Sequence, residues 1–164
     1  MSRPSPRPAQ TLADHYEALR GALIEVAECS FSSVVAPSDE ERFRDAARRV
    51  ELWIGASILF EAALAGAVLV VMPETLARDL FQASLGVERG VIPMDARLFD
   101  LVGEVTNMVC GAWLARTVNQ HYELRPPEIS RLQREQVTAE ADCLLVMINK
   151  QPCMVRLAFH SSPS

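Results

Sequence analysis

The rhythm of apolar and polar positions changes several times along this chain, and each change marks an element. From Thr11 to about residue 35, Leu12, Tyr16, Leu19, Leu23, Val26 and Ala27 recur mostly at three- and four-residue steps, which predicts a helix. Thr11 and Asp14 are candidates to cap its start. Residues 36–49 are polar and predict an exposed connection with room for a helical turn. "ELWIGASILF" and "GAVLVVM" read as two buried strands with "EAALA" as the turn between them. Pro73 stops the second strand and opens a short helix, which Gly86 ends. The longest helix starts near Asp95. Pro126 and Pro127 keep "NQHYELRPPEIS" extended or turning. "DCLLVMIN" and "CMVRLAF" close the chain as a hairpin with "KQP" at its turn. Paired hairpins with separated helices predict an α+β fold, an antiparallel sheet covered by helices.

A faint internal repeat accompanies this order. "LIEVAECSFSSVVA" aligns with "LVGEVTNMVCGAWLA" at the shared Glu-Val, placing Glu25 on Glu104 and Ala36 on Ala115. Each copy is a long helix followed downstream by two strands, as a duplicated helix-plus-hairpin unit would be.

Length and composition narrow the picture further. The 164 residues suit one domain with a real core. We assign residues 1–10, "MSRPSPRPAQ", to a disordered lead-in rather than a signal peptide, because they are rich in Pro and Arg and lack an apolar stretch. Residues 11–160 form the domain. Residues 52–72 are about as long and apolar as a membrane span, but Glu61 near the middle would be costly in lipid, and the split into two strands is preferred. The formal net charge is -5, Lys150 is the only lysine and no basic block stands out, which argues against a nucleic-acid partner. The four cysteines form no C-x-x-C and the three histidines do not cluster with them. That argues against zinc and for free thiols in a reducing compartment.

Candidate chemistry lies on the long helix. At ~100° per residue, Leu98, Leu101, Val102, Val105, Met108, Val109, Ala112 and Trp113 form a core stripe. The opposite side carries Asp100, Gly103, Glu104, Asn107 and Gly111. Glu104 and Asn107 are i and i+3, so their side chains emerge together. A helix-interior glycine costs about 1 kcal/mol against alanine, and Gly103 and Gly111 flank this pair. Bare backbone there would let another surface approach closely. Two readings fit: a solvated face with small residues for packing, or a docking face offering an acid and an amide.

"GEVTNMVCG", residues 103–111, resembles the E-x-x-N helix of the CheC/CheX/FliY family of response-regulator phosphatases, the CheX-like branch in particular. The strand pair and "PETLARDLFQ" before it, and "ELRPPEIS" and the closing hairpin after it, extend the resemblance over roughly residues 12 to 159. The resemblance implies an antiparallel sheet with two long helices packed on one face. It implies a substrate, a phosphorylated CheY-like receiver domain carrying an acyl phosphate on aspartate. It implies roles: Glu104 pairs with the receiver's active-site lysine, and Asn107 holds a water in line with the phosphorus. Asp100, Gly103 and Gly111 would border the docking surface. No cofactor belongs to the chain itself, since magnesium comes with the receiver. A cytoplasmic homodimer joined through its sheets, with no membrane partner, is the associated expectation.

The chemistry suits these residue types. Phosphoryl transfer has a loose transition state, so catalysis is mostly positioning and electrostatics. An amide both donates to and accepts from water. No Ser/His/Asp or Cys/His spacing supports a covalent hydrolase. The chain departs from the family at Ala112, where an asparagine is common. It also has Glu25 and Glu28 where two-site members carry a second E-x-x-N. A carboxylate at Glu28 cannot donate to water, so one active site is expected. A non-catalytic interaction domain on the same fold, binding a receiver or a flagellar-switch-type partner, is the alternative. Glu88 and Arg89 read as part of a solvated loop, with contact to the partner as the alternative.

Overall fold

The computed structural model describes residues 10–86, 93–118, 121–140 and 142–160. The lead-in, apart from Gln10, and the Glu88–Arg89 loop lie outside the described residues.

The first helix, α1, is Leu12–Phe31. Thr11 and Asp14 cap it together: the Asp14 amide donates to Thr11 Oγ1, and Asp14 Oδ2 accepts from the Thr11 amide at 2.8 Å. A short strand β1 (Val35–Pro37) and a helix α2 (Glu40–Ala47) follow. The stretch expected to be an exposed connection therefore holds two elements. Its polar sequence hides one anchor, Phe43, which is 1% exposed. β2 (Leu52–Glu61) and β3 (Ala65–Pro73) pair antiparallel, and α3 (Glu74–Leu85) ends at Gly86 in a left-handed conformation, φ 61°. α4 is Asp95–Thr117. β4 (Glu123–Leu124) and β5 (Glu128–Gln133) both pair with β2. β6 (Cys143–Ile148) and β7 (Gln151–His160) form the closing hairpin. Its turn is Asn149–Lys150, both at positive φ, rather than "KQP". Two left-handed residues match the twist of a tight hairpin, so Gln151 and Pro152 fall in the strand.

The strands make one seven-stranded antiparallel sheet in the order β1-β6-β7-β3-β2-β4, with β5 also on β2. This order is palindromic when α1, β1, β2 and β3 are exchanged for α4, β5, β6 and β7. The weak sequence repeat thus corresponds to a pseudo-twofold arrangement whose axis runs between β3 and β7.

Alternate residues of the central strands serve two layers. Ile54, Ala56, Ile58, Val68, Val70 and Met72 join the main core under α1, α3 and α4. Trp53, Val71, Leu145 and Met154 form a smaller core on the other face, plugged by Phe43 of α2. Burial on both faces explains why residues 52–72 look like a membrane span. They are two strands, and Glu61 sits at the exposed end of β2. By length and composition α4 itself would suffice to cross a membrane, yet half of its apolar window is buried within the protein.

The stripe on α1 is buried as expected at Leu19, Leu23, Val26 and Ala27 and departs from expectation only in the first turn. Leu12 is exposed, and His15 is buried between the rings of Trp113 (5.7 Å) and Phe159 (5.0 Å). Burial lowers its pKa below the ordinary histidine value. All four cysteines are free. Cys110 and Cys153 are buried, and desolvation pushes both thiols up to about 12, which makes them inert core residues.

Candidate functional site

Besides its buried apolar face, α4 is fixed at two further points. Near its start, Arg131 of β5 reaches Asp95 at 3.0 Å and Glu74 of α3 at 3.2 Å, and lies over the Phe99 ring at 5.5 Å. Glu74 is buried and also accepts from Arg78 at 2.5 Å. Hydrogen bonding to Arg131 lowers the Asp95 pKa and raises that of Arg131, so both stay charged. Arg131 therefore ties the first turns of α3 and α4 to one edge strand.

The second point is Gly103. The helix buries it, and a Cβ placed there would lie 3.0 Å from Ile129 Cδ1 and 3.1 Å from Pro127 Cγ. The close approach that Gly103 permits is made by the protein's own return segment, residues 122–129. Gly111 has the same neighbour in a looser form, since its Cβ position lies 3.7 Å from the Tyr122 hydroxyl. Both glycines seat one strap against α4. Bare backbone for an incoming partner is not what surrounds Gly103.

Between helix and strap runs an open groove of about 400 Å³. Asp100, Gly103, Glu104 and Asn107 form one wall, and Leu124, Arg125, Pro126, Pro127 and Ile129 form the other. The structure thus brings together four of the five residues singled out in the sequence, with Gly111 one turn further on. Glu104 is exposed and Asn107 half-buried. Neither side chain is hydrogen-bonded or ion-paired among the described residues. Between them, Thr106 points into the core and donates to the Val102 carbonyl at 2.7 Å, so the helix turns its polar pair outward without an unsatisfied hydroxyl beneath. Asp100 and Glu104 are like charges at i and i+4, an arrangement that costs a helix a few tenths of a kcal/mol. That cost is recovered if a cation meets them from outside.

The far wall was not anticipated. "RPP" signalled only that no helix continues there. Nothing local in the sequence says that this segment folds back over α4, because its contacts are made across the chain. A larger cavity of about 610 Å³, bordered by Tyr16, Asp39 and Cys143 among others, holds none of the E-x-x-N residues. Among the described residues no group of three or more His, Cys, Asp or Glu side chains is placed to hold a metal ion.

The profile of the chemotaxis phosphatase CheX matches residues 54–149, a span from β2 to the last hairpin turn that includes α4 and its strap. The chain belongs to the CheX family. Solved CheX structures share its fold at low identity. The Vibrio vulnificus CheX superposes with a TM-score of 0.68 at 17% identity, covering 93% of this chain and 100% of its own. CheX of Desulfovibrio desulfuricans gives 0.65 at 14%, covering 90% and 99%. CheX of Borrelia burgdorferi, solved as a CheX–CheY–BeF3–Mg2+ complex, gives 0.57 at 13%, covering 90% and 99%. No curated protein matches the chain in sequence.

Proposed function

We propose that this CheX-family chain hydrolyses the aspartyl phosphate of a CheY-like receiver domain. One observation carries the reading. Glu104 and Asn107, one turn apart on α4, stand side by side in a groove with no partner of their own among the described residues. An acid and an amide held ready in this way match the two tasks that a dissociative phosphoryl transfer leaves to a protein. Glu104 pairs with the receiver's active-site lysine and fixes the register of docking. The Asn107 amide accepts from and donates to a water, holding it in line with the phosphorus. Proximity of this kind converts a chance encounter into an aligned one, and no covalent intermediate on this chain is required. Magnesium enters with the receiver, a reading supported by the Borrelia burgdorferi CheX complex with CheY, BeF3 and Mg2+. The same reading expects a cytoplasmic protein, and a homodimer joined through its sheets.

The test is phosphate release from phosphorylated receivers of the same organism, with wild-type protein beside Asn107→Ala and Glu104→Ala. Wild type is expected to accelerate release. Asn107→Ala should lose about 100-fold in turnover with its fold intact, by analogy with removal of one transition-state hydrogen-bond donor. Glu104→Ala should mainly weaken docking. A wild-type protein that binds a receiver but never speeds its dephosphorylation would make this a non-catalytic binding domain on the same fold.

A further inference from the structure

Among the described residues, the groove carries two acids on one wall and one cation on the other. Its charged lining consists of Asp100 and Glu104 on the helix wall and Arg125 on the strap. An acyl phosphate brings further negative charge. The receiver's lysine and magnesium answer Glu104 and part of the phosphoryl charge, which leaves Asp100 as an acid with no cation on its own wall of the groove. Among the described residues Arg125 is the sole cation lining the groove.

Arg125 is also placed to be released. Its guanidinium pairs with Glu61 at 3.1 Å, with the two side chains 61% and 58% exposed. Pairs this open hold little energy, because water and salt compete for both partners. The backbone beneath is fixed: the Arg125 amide donates to the Leu59 carbonyl at 2.9 Å, and Pro126 and Pro127 stiffen the chain that follows. A long, weakly held side chain on a rigid anchor can change partners without moving the wall. Guanidinium is suited to the exchange, since its fork of donors matches oxyanion geometry.

We infer that Arg125 leaves Glu61 when the receiver docks and engages the anionic phospho-site, making the strap the second, cationic wall of the docking cleft. Glu61 is then its resting partner. This rests on the reading of the groove given above.

The experiment measures KM and turnover on the phospho-receiver for wild type, Arg125→Ala, Arg125→Lys and Glu61→Gln, with Asn107→Ala as control. Arg125→Ala should raise KM about tenfold with turnover within twofold, as expected for a charge that guides docking. Arg125→Lys should recover most of that loss. Glu61→Gln should lower KM or leave it unchanged, because it frees the arginine. Binding to a beryllofluoride-activated and to an unmodified receiver separates two sources of the anion. Weakening confined to the activated form assigns the contact to the phosphoryl group, and equal weakening of both assigns it to receiver carboxylates. If wild type is active and Arg125→Ala keeps its KM within twofold, the arginine has no such role while the catalytic reading stands. If wild type hydrolyses nothing, the catalytic reading falls and the binding measurement alone judges Arg125, with unchanged affinity overturning it.

Discussion

α1 and α4 occupy equivalent places in a pseudo-twofold sheet, yet among the described residues only α4 sets an acid and an amide side by side along an open groove. Aligned at their shared Glu-Val, Glu25 stands for Glu104, Glu28 for Asn107 and Ile24 for Gly103. On α4 the acid is unpartnered among the described residues. On α1 it is bonded to Arg116 of α4 at 2.5 Å, and that guanidinium lies 3.6 Å from the Cβ position of Gly21. α4 is followed by a strap that folds back over Gly103, whereas α1 passes into β1 within a few residues. The comparison teaches that the surroundings of a helix decide whether its outward acid is left free. On the proposed reading a site requires a free acid, an amide beside it and a second wall that forms a cleft.

The largest expected effect tests the asymmetry directly. Asn107→Ala should lower phosphatase turnover about 100-fold, whereas Glu28→Ala should leave it within twofold. Glu28→Asn, which completes the motif on α1, should add no second activity, since Glu25 remains tied and no strap is present. Doubled turnover in Glu28→Asn would break the comparison.

The glycines come next. Gly103→Val, which brings a branched side chain to the place where α1 has Ile24, pushes into Pro127 and Ile129 and should destabilise by about 1–3 kcal/mol in urea unfolding. Gly111→Ala meets only an ordinary contact at 3.7 Å and should stabilise by up to about 1 kcal/mol through helix propensity. Lost activity in a stabilised Gly111→Ala would return that glycine to a docking role.

His15 couples α1 to α4 through Trp113, and its burial sets a pH dependence. Its folded pKa lies below the ordinary value of 6.5, so below that pH the unfolded state binds more protons than the folded one. Stability should hold above 6.5 and fall as the pH drops through it. His15→Phe should flatten the unfolding midpoint over this range, and an unchanged slope would assign the dependence elsewhere. The smallest effect is expected at Glu25→Gln. Its ion pair is exposed, so the loss should be under about 1 kcal/mol, with activity unaltered.

Much of this was legible in the chain because it depends on local periodicity. The strand pair 52–72, the helix closed by Gly86 and the long helix from Asp95 all follow from spacing and from single Pro and Gly residues. β1 and α2 were harder to read, since only Phe43 among polar neighbours marks the covered face. β5 was harder still, as its alternation is shallow on a sheet edge. Spacing also placed Glu104 and Asn107 on one face of a helix, and resemblance attached a chemistry to them.

What the sequence determined by itself was therefore the identity and angular placement of the acid–amide pair, because helix geometry is local. Tertiary structure alone decided that Gly103 is covered by Pro127 and Ile129, that Arg116 ties Glu25, and that Arg125 borders the groove. Those contacts join residues far apart in the chain. They are set by how two packed helices and an edge strand divide the available space, which no short stretch of sequence specifies.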